Sequence, residues 1–138
     1  MNAKTWLSRA RRIDQEIDAL LLARAEMLAK VTKVTQTITG DTVQTSKDPH
    51  RFDSVAELDE TIFTRVEELG AVKVEILRGI NRLKDARYRE VLIGRYVSME
   101  TFEHIAVNMN FSWRQVCRIH GRALLKMEEV LNVPKENS

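Results

Sequence analysis

Four basic residues recur at every fourth position near the end of the chain, within the stretch FSWRQVCRIHGRALLK of residues 111–126. They are Arg114, Arg118, Arg122 and Lys126, and the stretch contains no acidic residue. Residues four apart lie on the same side of an α-helix, so this spacing predicts a basic helical face. Guanidinium and ammonium groups donate charge-assisted hydrogen bonds to carboxylates and phosphates. Spacing alone leaves three surroundings open for this face: water, a partner protein or a phosphate backbone.

The residues around this face follow the pattern of two short helices separated by a tight turn. Ala106 is small, which lets the two helices cross closely, and Asn110 tolerates the positive φ that such a turn needs. Ser112 and Gln115 have the spacing of a capping box, which starts the second helix. The inward positions of the two helices are predicted to be Phe102, Ile105, Ala106 and Met109, then Val116, Ile119, Ala123, Leu124 and Met127. This pattern is typical of a helix-turn-helix, whose second helix enters the major groove of DNA.

Other chemistry has little support in the sequence. His50, His104 and His120 are scattered, and neither they nor Cys117 have cysteines or carboxylates at metal-ligand spacing. The chain also lacks a glycine-rich phosphate loop, a pair of catalytic carboxylates and a Ser-His-Asp signature. We therefore predict a protein that is not an enzyme and that uses no metal and no cofactor.

Composition bounds the class of protein. The 138 residues are 43% hydrophobic and 30% charged, as in folded proteins of one domain or of a small domain with a helical extension. The net charge of +2 is too small to indicate nucleic-acid binding, so any such prediction must rest on where the charges lie. The single Cys117 excludes an internal disulfide and fits a reducing compartment. Without a signal-peptide core or a run of ~18 apolar residues, we expect a cytoplasmic protein with no membrane partner.

The first 84 residues contain two long apolar seams at helical spacing. One covers residues 4–34, and the other belongs to a helix that starts at residues 53–54, where Ser54 has the spacing of a capping box with Glu57. Helix breakers between the seams predict a loop over residues 39–53. Each seam needs an apolar partner, so we predict an all-α fold with a long, coiled-coil-like helical hairpin over residues 1–84. The hairpin closes either within one chain or between the chains of a dimer.

Residues 89–127 resemble region 4 of the bacterial sigma-70-family factors. The segments RYV, TFEHIA, VCRI and RALLKM fall in register with that family's pattern of a Glu-x-Ile-Ala helix, a three-residue turn and a Ser-capped helix. With its long helical N-terminal half, the whole chain is similar to a narrower group, the phage and prophage late transcription regulators of the ArpU and RinA kind. The resemblance implies a DNA-binding domain over residues 85–133, with residues 1–84 serving for oligomerisation or for docking on RNA polymerase.

The resemblance also implies which side chains contact DNA. Carried over residue by residue, the DNA-binding positions are Thr101, Trp113, Arg114, Gln115, Cys117, Arg118 and Arg122. Sigma factors usually carry Glu at the position of Arg114, and basic residues at the positions of Trp113, Gln115 and Cys117. Glu accepts from cytosine N4, whereas Arg donates to guanine O6 and N7. We therefore expect Arg114 to prefer guanine and Gln115 adenine, in a site that differs from the usual promoter hexamer of sigma factors.

Several of these positions have alternative interpretations. Arg118 contacts a base or a phosphate and Arg122 a phosphate, or both belong to a solvated basic face. Thr101 either donates to a phosphate or only caps its helix. Trp113 either contacts a thymine methyl or the sugar backbone, or it packs over the turn against Phe111.

A second basic cluster lies near the start of the chain. It comprises Arg9, Arg11 and Arg12. One interpretation is that the cluster contacts DNA beside the recognition site, and the other is that it forms a charged face of the coiled coil.

Together these observations predict a sequence-specific regulator of transcription, a phage late-gene activator in the cytoplasm of a bacterial host. Double-stranded DNA is its expected partner, bacterial RNA polymerase is a second, and the chain is expected to form a homo-oligomer, with a dimer favoured. Two alternatives stay open. The small subunit of a phage terminase also joins a helix-turn-helix to oligomerising helices, and a sigma-4-like module can dock on RNA polymerase without contacting DNA.

Overall fold

The computed structural model describes residues 2–38, 50 and 52–132 of the chain. Within these residues every regular element is a helix and none is a strand, which confirms the predicted all-α class. The elements are α1 (Ala3–Leu7), α2 (Arg9–Ile38), α3 (Asp53–Ile80), α4 (Ala86–Leu92), a π-helical segment (Ile93–Val97), α5 (Phe102–Met109) and α6 (Trp113–Asn132). No helix in these ranges is long and apolar enough to cross a membrane. Most of the loop predicted over residues 39–53 lies outside the described residues.

Packing divides the described chain into two compact units. One consists of residues 13–68. The other is discontinuous in sequence, because residues 2–12 pack together with residues 69–132. The sequence suggested a hairpin that included residues 2–12, whereas these residues share a core with the C-terminal helices. The assignment of functions to residues 1–84 and 85–133 stays a prediction.

Helix α3 begins one residue before the predicted cap. The first helical residue is Asp53, and the carbonyl of Phe52 accepts a bond of 3.0 Å from the N–H of Ala56. Phe52 therefore holds the position at which a cap would stand, and Ser54 is already inside the helix. The predicted capping box of Ser54 with Glu57 is wrong for this reason. Asp53 instead supplies a carboxylate in the first turn, where its negative charge is attracted to the positive end of the helix dipole.

The larger unit is organised around an apolar core. Its buried side chains are Ala3, Leu7, Ala10, Ile76, Ile80, Leu83, Leu92, Tyr96, Ala123 and Met127. Ala3, Leu7 and Ala10 recur at helical spacing, so one side of α1 and of the start of α2 faces this core. The N–H of Ala3 donates to Oε2 of Glu128 over 3.1 Å, which fixes the start of α1 on α6.

Gly79 allows a close approach within this core. A Cβ at that position would lie 2.6 Å from Cη2 of Trp6 and 3.0 Å from Cε of Met127. Both distances are shorter than ordinary van der Waals contacts. Glycine at this position therefore lets α3 and the side chain of Trp6 pack together.

A second apolar cluster holds α5 against α4 and α6. Its buried members are Val91, Ile105, Ala106, Val116 and Ile119, with Phe102, Met109 and Phe111 packed around them. In α6, Ala123 and Met127 are also buried, and Leu124 is half-buried against the larger core. The inward positions predicted for these two helices are thereby confirmed. Ala106 is 6% exposed, so the side chain at this crossing has little room to grow.

Candidate nucleic-acid interface

The link between α5 and α6 is a tight turn of residues 110–112. Asn110 has φ 59° and ψ 40°, in the left-handed region, which asparagine adopts more readily than most residues. The N–H of Phe111 donates to the carbonyl of Ala106 over 3.0 Å, as in a Schellman ending of a helix. The ring of Phe111 packs on the same cluster as Ala106. The predicted role of Asn110 is confirmed.

Ser112 and Gln115 cap the start of α6 reciprocally. The N–H of Gln115 donates to Oγ of Ser112 over 3.1 Å, and the N–H of Ser112 donates to Oε1 of Gln115 over 2.8 Å. This is the predicted capping box. A glutamine reads adenine with both of its amide atoms. Oε1 of Gln115 already accepts one bond at the cap and keeps a second lone pair, so a contact with adenine has to use the amide in the orientation that the cap sets.

Helix α6 has a basic side opposite its buried side. Arg114, Arg118 and Arg122 are exposed, and no carboxylate among the described residues lies within ion-pair distance of them. Nζ of Lys126, in contrast, lies 3.8 Å from Oε1 of Glu129. Each step of four residues advances about 40° around an α-helix, so Lys126 is turned about 120° from Arg114. The predicted seam therefore divides into three arginines without acidic partners and one paired lysine.

Thr101 and Trp113 stand at the starts of the two helices. Oγ1 of Thr101 accepts from the N–H of His104 over 3.1 Å and caps α5. A hydroxyl that accepts keeps its own hydrogen to donate, so capping and a phosphate contact are compatible. Trp113 is 53% exposed, and within the described residues no ring contact joins it to Phe111. The indole therefore lies at the surface beside the first arginine of the basic side.

Cys117 borders the exposed side of α6 and is less exposed than the arginines there. It is half-buried and lines a cleft of about 440 Å³. The cleft is formed by Lys4, Ser8 and Arg11 of the N-terminal helices, Arg95 and Tyr96 of the π-helical segment, Phe102 of α5, and Cys117 and His120 of α6. Since its charged members are all cations, we refer to it as the cationic cleft.

Helical spacing places the N-terminal members of the cleft on one side. Lys4, Ser8 and Arg11 each follow a buried core residue by one position, so their side lies about 100° around the helix from the core. Of the N-terminal basic cluster predicted from sequence, Arg11 alone lines the cleft. Arg9 forms an ion pair of 3.1 Å with Glu75 instead. The cluster therefore does not act as one charged face.

The π-helical segment Ile93–Val97 supplies the third cation. At its end the N–H of Ser98 donates to the carbonyl of Ile93, five residues back, over 2.9 Å. Such wider turns are rare and occur often at functional sites. Gly94 lets the segment approach α5, because a Cβ there would lie 3.0 Å from Cγ1 of Ile105.

Arg95 is held in place by uncharged groups. Its NH1 donates to the carbonyl of Glu100 over 3.1 Å, and its guanidinium carbon lies 4.6 Å from the centroid of the Phe102 ring. Burial and, after it, the charge of Arg11 lower the pKa of Arg95. The folded chain thus holds this guanidinium where its charge is poorly compensated.

His120 lines the cleft and packs between two aromatic rings. Its Nε2 lies 2.7 Å from the hydroxyl oxygen of Tyr96, the two rings stack at 5.7 Å, and Phe102 meets the imidazole edge-on at 4.9 Å. Burial, with the charges of Arg95 and Lys4, lowers the pKa of His120 to about 4. The imidazole is therefore neutral near pH 7.

The predicted site residues fall into three places. Arg114, Arg118 and Arg122 share the exposed side of α6, with Trp113 and Gln115 at its start; Thr101 caps the preceding helix; and Cys117 borders the cationic cleft. Sequence reasoning missed the cleft itself. The available signal was the helical spacing of Lys4, Ser8 and Arg11, whereas nothing local pointed to Arg95.

We compared the chain with protein families, with curated proteins and with solved structures. None of these comparisons found a match. The resemblance to sigma region 4 and to the phage late regulators therefore stays a prediction, based on the motifs of residues 89–127.

Proposed function

We propose that the protein is a sequence-specific regulator that binds double-stranded DNA, with α5, the turn of residues 110–112 and α6 forming a helix-turn-helix. The observation that carries the proposal is the exposed side of α6. There Arg114, Arg118 and Arg122 lack acidic partners among the described residues, while the opposite side of the helix is buried. Unpaired guanidinium groups on a firmly packed helix are suited to phosphates and to base edges in the major groove.

Position along α6 gives these side chains different roles. Residues in the first turn of a recognition helix reach base edges, so Arg114 donates to O6 and N7 of a guanine. Arg118 lies one turn later and contacts a base or a phosphate. Arg122, a further turn along, contacts a phosphate. The exposed indole of Trp113 packs on the sugar backbone or on a thymine methyl.

The structure limits the DNA contacts that Gln115 and Cys117 can make in this proposal. The cap fixes the amide of Gln115 at the start of α6, where Nε2 is free to donate to a base or a phosphate. Cys117 lines the cationic cleft and reads no base. We expect the preference of Gln115 for adenine to be weaker than that of Arg114 for guanine, because the cap restricts the orientation of its amide.

Selection of bound duplexes from a random pool tests this proposal. Wild-type protein should select one sequence, and Arg114→Ala should lose a guanine preference at one position, at a cost of about 1–3 kcal/mol in binding free energy. Arg78→Ala, at an exposed arginine of α3, is the matched control and should select the wild-type sequence. An unchanged preference in Arg114→Ala contradicts the assigned role. Absence of DNA binding by the wild type contradicts the function and favours a module that docks on RNA polymerase.

We further propose that α2 and α3 form a helical hairpin within residues 13–68. Nε of Arg65 donates to Oε2 of Glu16 over 2.8 Å, and Nε of Arg24 donates to Asp59. As residue numbers rise along α2 they fall along α3, which is the order expected of antiparallel helices. This order supports the predicted hairpin within one chain.

The same residues support pairing of two copies of the chain. Large apolar side chains are exposed on both helices, namely Leu21, Leu22, Phe63 and Val66. A symmetric dimer would remove such side chains from water. Analytical ultracentrifugation should therefore give the mass of a dimer. A ring of many subunits would contradict this state and favour the terminase alternative.

The late-gene role and RNA polymerase as a second partner are supported by the resemblance of residues 89–127 to sigma region 4. We propose that the protein activates phage late genes in the bacterial cytoplasm. Transcription in vitro by bacterial RNA polymerase should rise on a template that carries the selected site. Repression or no response on that template would contradict activation, while leaving the DNA contact of α6 intact.

A further inference from the structure

The cationic cleft brings together three positive side chains that have no carboxylate partner. Lys4 comes from α1, Arg11 from α2 and Arg95 from the π-helical segment. No acidic side chain in the described part of the chain forms an ion pair with any of them. Glu103 acts on Arg95 only through space. The positive charge of the cleft is therefore largely uncompensated within the protein.

This arrangement is unfavourable for the folded chain on its own. Burial and then repulsion from Arg11 lower the pKa of Arg95. Burial and then the charges of Arg95 and Lys4 lower the pKa of His120. Folding thus holds like charges together where solvent screens them incompletely. An anion in the cleft would offset this repulsion and raise both pKa values.

The lining indicates the chemistry of that anion. The hydroxyl of Ser8 adds a neutral donor to the three cations, and no acidic side chain lines the cleft. Its other walls are the aromatic rings of Tyr96, Phe102 and the neutral His120, so a charged ligand would be held on the side of the three cations. Arginine presents a planar fork of N–H groups that matches the oxygens of a phosphate. A cleft of about 440 Å³ exceeds one phosphate group, so it has room for the atoms bonded to that group.

The position of the cleft indicates where that phosphate comes from. Cys117, on its wall, directly precedes Arg118, and Phe102 directly follows the cap residue Thr101. In a helix-turn-helix the second helix enters the major groove while the first crosses the backbone. Phosphates border that groove on both sides. A backbone phosphate beside α6 would therefore meet the cleft.

We infer that the cationic cleft binds a phosphate group of the DNA backbone beside the groove that α6 enters. Lys4, Arg11 and Arg95 hold the phosphate oxygens and Ser8 donates to them. The inference rests on the proposed function and extends it, because it makes residues 2–12 part of the DNA-binding surface. A contact of this kind fixes the position of the protein on the duplex and carries no base preference.

The double variant Lys4→Gln/Arg11→Gln in the full chain tests this inference. Glutamine keeps the helix propensity and removes the charges. Affinity should fall by a similar factor for the selected duplex and for an unrelated one. The plot of log Kobs against log salt concentration should become shallower by about 1, since the cleft holds one phosphate and about 0.9 is lost for each phosphate contact. Arg78→Gln/Lys84→Gln, which removes two exposed charges outside the cleft, should leave the slope unchanged.

A second measurement follows the cleft directly. The imidazole resonances of His120 are recorded by NMR during titration with a short duplex and, separately, with inorganic phosphate. The duplex should shift these resonances and raise the pKa of His120, and both effects should be lost in Lys4→Gln/Arg11→Gln. Inorganic phosphate should give a smaller shift at the same phosphate concentration, because it lacks the contacts made by α6.

The outcomes separate this inference from the proposed function. If the double variant keeps the wild-type salt slope while Arg114→Ala loses its guanine preference, the inference is wrong and the proposed function stands. If no duplex binds but inorganic phosphate shifts His120, the DNA backbone is the wrong source, the proposed function fails with it, and the cleft takes a small phosphate compound. If neither the duplex nor phosphate moves His120, the cleft binds no phosphate.

Discussion

The exposed side of α6 and the cationic cleft each display three cations, yet they are assembled in different ways. The side of α6 takes its arginines from one helix, at a spacing that repeats along the sequence. The cleft takes Lys4, Arg11 and Arg95 from three elements, and its half-buried members act on one another electrostatically. A charged surface on a single helix is therefore easy to recognise in the sequence, whereas one assembled by packing is not. In the cleft, however, burial and the neighbouring charges lower the pKa values of Arg95 and His120, so experiments on these pKa values distinguish the cleft from the side of α6.

Ala106→Leu should reduce stability most, because Ala106 belongs to the apolar cluster that holds α6 against α5. Ala106 is 6% exposed at the crossing of α5 and α6, so three extra carbon atoms would have to fit among buried side chains. We expect the free energy of unfolding to fall by about 1–3 kcal/mol. Chemical denaturation measures this change.

Val107→Leu is the matched control for that substitution. Val107 is the next residue of α5 and is 73% exposed, so its enlargement should change the unfolding free energy very little. Equal unfolding curves for Ala106→Leu and Val107→Leu would mean that α5 and α6 cross elsewhere.

Lowering the pH should have the second-largest effect on stability, because His120 in the cleft takes up a proton less readily in the folded chain. The folded chain keeps this imidazole neutral down to about pH 4, whereas the unfolded chain takes up the proton near pH 6.5. The unfolded state binds more protons in this window, so stability falls as the pH drops through it. We expect a loss of about 1–2 kcal/mol, less than the full linkage value because the ring is partly exposed.

The variant His120→Gln isolates this contribution. It lacks the titrating group, so the stability advantage of the wild type over His120→Gln should shrink by that amount between about pH 7 and pH 4.5. Urea unfolding at several pH values measures the difference. A difference that stays constant with pH would show that folding does not lower the pKa of His120.

Replacing either of two glycines by alanine should change the stability of the protein least, and in opposite directions. Gly79 faces Trp6 of α1, the helix that carries Lys4 into the cleft, so Gly79→Ala should destabilise the protein by about 1 kcal/mol through overpacking. At Gly121, on the exposed side of α6, no atom lies within 4 Å of an added Cβ. Gly121→Ala should therefore stabilise the protein by about 0.5–1 kcal/mol. Thermal unfolding measures both changes in stability. Changes of the same sign in the two variants would contradict this prediction.

The connection between α5 and α6 was predictable because it depends on neighbouring residues. The left-handed Asn110, the reciprocal cap of Ser112 with Gln115 and the buried Ala106 each follow from a local rule. The start of α3 shows the limit of such rules. Ser54 has the right spacing for a cap, but the helix extends back to Asp53, whose carboxylate is favourable in the first turn.

Features that depend on distant residues could not be predicted in this way. The cleft exists because α1 packs on α6 and because a π-helical turn carries Arg95, and neither contact has a local pattern. Gln115 shows a different limit. One rule assigns its amide to the helix cap and another to a base, and the cap restricts the orientation in which the same oxygen could meet a base. Sequence patterns do not reveal which use prevails in the free protein.

The bond between Ala3 and Glu128 joins residues 125 positions apart, and this separation has a consequence for synthesis. At about 5–20 residues per second, the ribosome needs roughly 6–25 s to pass from one to the other. Throughout that interval the apolar side of α1 lacks α6 as a partner, and the loop to be closed keeps lengthening. The cationic cleft can therefore form only after α6 has been synthesised. Until then Lys4 and Arg11 lack the wall that Cys117 and His120 supply.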